Sequence, residues 1–186
     1  MSRMTDATEL QRFPIGRHER RPIDVPNTSA ERAGYIQRLA NQAAALAAAV
    51  DGLEDEDWQQ PYRPGGWTAQ QLVHHVADSH SNALIRLKVA ITEDRPTIKP
   101  YDQDAWVTLA DCALSPHISL VLFMAVQTRL VAVLQSLDDA AFARRFVHPE
   151  NGEMSVDQLL ALYAWHGDHH IAQLEAFKTS RAQGAA

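Results

Sequence analysis

The sequence predicts an all-α fold, a four-helix bundle behind an irregular N-terminal arm. Three observations carry this. Four helix-start signals are spread along the chain, each ahead of about 20 residues with helical spacing of apolar side chains. No alternating run is long enough to support a sheet. The 186 residues are 46% hydrophobic and 22% charged, ordinary usage for one domain with a sizeable core.

Residues 1–27 contain Pro14, Pro22 and Pro26 and show no periodicity. They predict an arm lying over the domain. The domain itself is expected over residues 28–180, with a disordered tail at 181–186. The first helix starts at Thr28, with Glu31 completing a capping box, and runs through an Ala-rich stretch to about Val50. The second starts at Thr68 with Gln71 as box partner, and Trp67 and Leu72 are placed as a hydrophobic staple. It runs to about Thr92 and stops before Pro96. A connection over 97–114 is expected to hold one short helix near Asp104–Ala110. The third helix starts at Ser115, with Pro116 at its first position, and runs to about Ser136. Asn151-Gly152 marks a turn. The fourth starts at Ser155, boxed with Gln158 and stapled by Met154 and Leu159, and runs to about Lys178. Helices of this length give a bundle roughly 30 Å long.

Composition excludes several classes. Lys and Arg number 17 against 23 Asp and Glu, a net charge of -6, and no basic stripe marks any predicted helix. Nucleic acid is therefore not an expected partner. No apolar run approaches the roughly 20 residues of a membrane span, and no apolar leader opens the chain. Neither a membrane nor secretion is expected. A single cysteine, Cys112, makes no internal disulfide and fits a cytoplasmic location.

Nine histidines are the unusual feature, and several fall in two clusters. On the fourth helix the apolar stripe reads Leu159, Tyr163, His166, His170, Leu174 and Phe177. Two imidazoles thus sit inward, four residues apart, where side chains one turn apart are neighbours. That spacing can bring two rings to one metal ion. On the second helix the stripe reads Leu72, His75, Val76, Ser79, Ala83, Leu87 and Ala90, which puts His75 inward too. A lone buried histidine is more often a hydrogen-bonded core residue than a ligand. Two unpaired imidazoles in a core are costly, however. His75, His166 and His170 together make a three-ligand metal set with open positions.

The other histidines point elsewhere on helical wheels. His74, His80 and His169 are expected at the surface or behind the ligands. His18, His117 and His148 stand alone, as solvent or capping residues. Asp78, three residues after His75, either orients an imidazole and accepts a proton or is a half-exposed carboxylate. Arg86 faces inward and needs a buried carboxylate or an anionic substrate or thiol.

The stretch from Gly65-Gly66-Trp67-Thr68 to His75-Val76-Ala77-Asp78, with Phe13-Pro-Ile-Gly16, Pro96 to Asp102, His148-Pro-Glu150 and Tyr163-Ala-Trp-His166 with His169-His170, resembles the DinB-like superfamily. It is most similar to the YfiT branch, whose members are described as metal-dependent hydrolases and include bacillithiol S-transferase. The resemblance spans residues 12–178. It implies a four-helix bundle of DinB/YfiT type, a zinc or nickel ion on His75, His166 and His170, a cytoplasmic location and a homodimer. It also implies an enzyme acting on a small molecule, with water or a low-molecular-weight thiol as cosubstrate. A non-catalytic metal- or ligand-binding bundle is the alternative.

Overall fold

The computed structural model describes residues 9–184. Residues 1–8 of the expected arm and 185–186 of the expected tail lie outside that range. The order of elements is α1 (Ser29–Val50), α2 (Asp55–Trp58), α3 (Ala69–Thr92), α4 (Gln103–Trp106), a 3₁₀ turn (Ala110–Ala113), α5 (Pro116–Gln135), α6 (Asp139–Phe142), β1 (Arg145–His148), β2 (Gly152–Ser155) and α7 (Val156–Gly184).

The four long helices α1, α3, α5 and α7 form the bundle. α1 packs on α5 and α7, and α3 packs on the same two, so α1 and α3 stand at opposite corners. The capping boxes at Thr28 and Thr68 are both formed. At Ser155 the hydroxyl accepts from Gln158 N, and Gln158 Oε1 accepts from Ser155 N. Each box satisfies first-turn N–H groups that have no helical partner. Ser115 makes no side-chain cap; Pro116 alone marks that start.

Four expectations are corrected. The fourth helix extends to Gly184, so residues 181–184 are helical and not a disordered tail. The 97–114 connection holds two short turns, Gln103–Trp106 and Ala110–Ala113, where one was expected. A two-stranded antiparallel hairpin, with Phe146 opposite Met154, precedes α7. Its strands have four residues each, too few for alternation to register. Gly152 at its turn takes φ 73°, a left-handed conformation that suits glycine. Lastly, α5 is long and apolar enough by composition to cross a membrane, with mean hydropathy 1.8. In the bundle one of its faces packs on α1 and α3, while Ile118, Val121, Leu122 and Met124 face outward.

The core divides in two. One apolar cluster contains Leu39, Leu84, Leu87, Leu130, Phe146, Leu159 and Tyr163. The other contains Leu46, Val50, Leu72, Val76, Phe123, Ile171 and Leu174. Between them runs a buried polar layer: Gln42 on α1, Ser79 and His80 on α3, Gln127 on α5, and His169 and His170 on α7. Such a layer is tolerated only when its polar groups find partners.

The arm is tied to α7. Trp165 Nε1 donates to Gly16 O, Gln158 Nε2 to Arg21 O, and Gln173 Nε2 to Arg12 O. At the end of the arm, Asn27 N donates to Asp157 Oδ2 at 2.9 Å. Asp157 also holds Arg32 of α1 through two bonds, at 2.7 and 2.9 Å. Both side chains are under a tenth exposed, so the pair locks the start of α1 to the start of α7. Asp157→Ala leaves a buried guanidinium without its main partner and should cost about 3–5 kcal/mol of unfolding free energy in urea. A cost below about 1 kcal/mol would mark the pair as no better than a surface contact.

Candidate metal centre

Where α3 faces α7, three imidazoles converge. One ligand-capable atom from each of His75, His166 and His170 lies within 4.8 Å of the others. His166 Nε2 and His170 Nε2 are 3.2 Å apart. The ring centroid of His75 is 5.5 Å from that of His166 and 5.0 Å from that of His170. The helical stripes account for this directly. His75 lies a turn before Ser79 on α3, and the i, i+4 pair on α7 stacks its two rings on the facing side.

The partners of these rings matter as much as the rings. His170 Nδ1 is 2.8 Å from Gln173 Oε1. Gln173 Nε2 donates to the Arg12 carbonyl, which can only accept. The Gln173 oxygen therefore faces His170, and His170 Nδ1 carries the proton. Its Nε2 is left as a bare lone pair pointing at His166. His166 Nδ1 lies 3.3 Å from His80 Nε2, and Ser79 Oγ sits 3.5 Å from His166 Nε2. The Trp67 ring packs on His75 at 4.6 Å between centroids, and its Nε1 donates to Asp104. Both Trp67 and Leu72 belong to the second apolar cluster, Trp67 at its edge.

Burial keeps the rings uncharged. It lowers His75 to about 4 and His80 to about 3. His166 and His170 are pushed well below 6.5, both by burial first, and then by the charge of His170 on His166 and of His75 on His170. Neutral imidazoles with nitrogens turned to one point are the donor set of a divalent transition metal. The residues present therefore fit such an ion.

His74, His80 and His169 are not at the surface. His80 is fully buried, held by Gln127 and the edges of Phe123 and Tyr163. His74 bonds Ser119 Oγ and Leu114 O on the α5 side. His169 stacks on Trp165 and contacts Phe13 of the arm. α3 and α7 each have neighbours on more than one side, so more than one stripe is buried. His148 is also buried and accepts from Glu150 N. His18 packs against Trp165 and His117 near Trp58.

Asp78 is half-buried, and its carboxyl is raised by burial and then by Asp111. Its side chain makes no hydrogen bond among the described residues. Arg86 has no carboxylate partner among them either. It donates to Tyr163 Oη at 3.0 Å and to Lys99 O at 3.3 Å, and its Nε has no partner. Arg86, Tyr163, Tyr101, Ser79, His148 and His166 line one cleft of about 190 Å³. The cleft thus runs from His166 of the histidine cluster to the arginine. Tyr101, whose hydroxyl is buried without a partner, and His148 were not singled out as site residues by sequence. The segments Pro96–Asp102 and His148–Glu150, which carried the resemblance, contain them.

Fold and donor set define the class: a four-helix bundle with a three-histidine cluster, fit for a divalent metal, between two of its helices. The chain belongs to the DinB superfamily, whose family model matches residues 38–174. It is 43% identical over 144 residues to a "Putative metal-dependent hydrolase" of Bacillus mycoides, covering 77% of this chain and 83% of that one. A protein of the same description from Bacillus cereus is 40% identical over 168 residues, 90% of this chain and 95% of its own. Among solved structures, YfiT from Bacillus subtilis superposes with a TM-score of 0.88 at 37% identity, over 93% of this chain and 98% of YfiT. It is described as "a probable metal-dependent hydrolase with an unusual four-helix bundle topology". TT2238, a four-helix bundle protein, matches with a TM-score of 0.50 at 24% identity, over 81% of this chain and 98% of that one, and supports the fold alone.

The depressed histidines give a signed pH effect. The unfolded chain takes up protons near 6.5, while folded His75 and His169 resist until about 4 and His80 until about 3. Protein stripped of metal should therefore lose stability as pH falls from 6.5 toward 4. More than one ring takes part, so the loss should exceed about 1.4 kcal/mol per pH unit in urea unfolding. A flat profile over that window would show that these rings titrate normally.

Proposed function

We propose that this chain is a metal-dependent enzyme acting on a small molecule, with one zinc or nickel ion held by His75, His166 and His170. The observation that carries the reading is the convergence of three uncharged imidazoles, His75 and His170 buried and His166 half-buried at the wall of a cleft. When bound, the ion supplies Lewis-acid activation, lowering the pKa of a water or a low-molecular-weight thiol at its open positions. Activated water gives hydrolysis; an activated thiol gives S-transfer to an electrophile. No fourth His, Cys, Asp or Glu joins the set among the described residues, which favours catalysis over a closed structural or storage site.

The chain's own residues supply the rest. The Trp67 ring covers His75 and shields one side of the centre. Asp78, whose carboxyl is raised by burial, is suited to take up the proton that water or thiol releases. Arg86, with no carboxylate partner among the described residues, would hold an anionic group of the substrate or thiol at the far end of the cleft. Tyr163 orients the guanidinium. The net charge of -6 supports a small-molecule partner over nucleic acid. We also propose a cytoplasmic homodimer, as the family resemblance implies; the outward apolar side chains of α5 would serve such a contact.

Metal analysis of purified protein should find about one zinc or nickel per chain, lost in His166→Ala. Wild-type protein that takes up neither metal on reconstitution would sink the reading. The loaded protein should then be assayed against esters and amides without thiol, and against an electrophile with a cysteine-derived thiol. For whichever substrate turns over, Arg86→Gln should raise KM about tenfold or more when that substrate or thiol is anionic. It should leave metal content intact. Unchanged KM would remove Arg86 from the binding role.

A further inference from the structure

A continuous hydrogen-bond relay crosses the polar layer and ends on His166. It can be oriented from its fixed end. Ala164 O and Asp168 Oδ1 only accept, and Gln42 Nε2 lies 2.8 Å from each. The Gln42 amide is therefore turned, and its Oε1 is left to accept. Gln127 Nε2 donates to that oxygen at 2.7 Å and to Leu39 O at 3.2 Å. Gln127 must then face His80 with its own oxygen, 3.2 Å from His80 Nδ1. A neutral imidazole carries one N–H. His80 Nδ1 holds it, so His80 Nε2 is bare and accepts from His166 Nδ1 at 3.3 Å. His166 Nε2 is left without a proton.

Two further observations fit. Gln42, Gln127 and His80 are 1%, 2% and 0% exposed, so no bulk water can substitute for a link and reverse the order. Gly167 lies between the relay's two anchors on α7. A Cβ there would come 2.2 Å from Gln42 Oε1, so the glycine leaves room for the amide that starts the chain.

We propose that Gln127 and His80 are positioning residues that fix the tautomer of His166, so that its Nε2 lone pair faces His170 and His75. Gln42 and Gly167 hold Gln127 in its orientation. Gln173 does the same for His170 by a separate route. The two routes leave two bare nitrogens 3.2 Å apart, an arrangement that is repulsive until an electrophile comes between them. The consequence for metal binding rests on the three-histidine reading above; the tautomer itself does not.

The test uses full-length ¹⁵N-labelled protein freed of metal, with histidine nitrogens followed by long-range ¹⁵N–¹H spectra and assigned with His166→Gln. His166 and His80 should both appear protonated at Nδ1 only. In Gln127→Leu both should shift toward a tautomer mixture, while His170 stays as in wild type. Zinc affinity, measured by chelator competition, should fall about 10- to 100-fold. A wild-type His166 protonated at Nε2 would overturn the proposal, and that spectrum decides even if Gln127→Leu does not fold. So would unchanged tautomers and zinc affinity in the variant. The expected tautomers in a protein that takes up no zinc or nickel would support the relay and refute the metal reading.

Discussion

Two imidazole nitrogens, His166 Nε2 and His170 Nε2, meet 3.2 Å apart in the core with no proton between them. Much of the surrounding structure is needed to keep them so. Left alone, either ring would rotate or exchange its proton to relieve the contact. Gln173 and the arm's Arg12 carbonyl prevent this for His170. His80, Gln127 and Gln42 prevent it for His166. The energy for this constraint comes from the apolar clusters above and below the polar layer, where burial is favourable and non-directional.

The bundle arrangement makes this possible. With α1 and α3 at opposite corners, the facing surfaces of α3 and α7 carry the three clustered histidines, while α1 and α5 reach in with glutamines. Each long helix thus contributes to the layer. The arm, which leads directly into α1, has a similar part. By crossing α7 it supplies carbonyls at Arg12, Gly16 and Arg21, and it covers His169 with Phe13. The hairpin lends Phe146, His148 and Met154 to the cleft wall.

The helices were legible in the sequence because their signals are local. Thr28, Thr68 and Ser155 declare themselves through a partner three residues on. The convergence of His75, His166 and His170 was legible because a 3.6-residue period and one inward face suffice to derive it. His80 was not, since a wheel drawn for one neighbour puts it off the stripe, whereas α3 has α5 on one side and α7 on the other. Gln42 and Gln127 carried no signal at all; an amide in an Ala-rich or Leu-rich helix acquires meaning only when crossing geometry brings it to another amide. The best available cue was Gly167, a glycine inside a strong helix, which costs about 1 kcal/mol relative to alanine and calls for a packing reason.

The choice of amides over carboxylates has a chemical consequence. Histidine ligands in metal sites commonly donate their second N–H to a carboxylate, which makes the ligand more basic and lends negative charge to the centre. Here the second nitrogens of His166 and His170 go to a neutral imidazole and a neutral amide. The carboxylate that the relay does reach, Asp168, is four groups away and is neutralised by Arg38 at 2.7 Å. Neutral partners still orient the rings, and would leave the charge of a bound divalent ion uncompensated by them. An ion so held would be a stronger electrophile toward water or a thiol than one backed by carboxylates, and would add positive charge to the cleft that Arg86 lines. Orientation and electrophilicity, which a carboxylate partner would set against each other, are served here by His80 and Gln173 together.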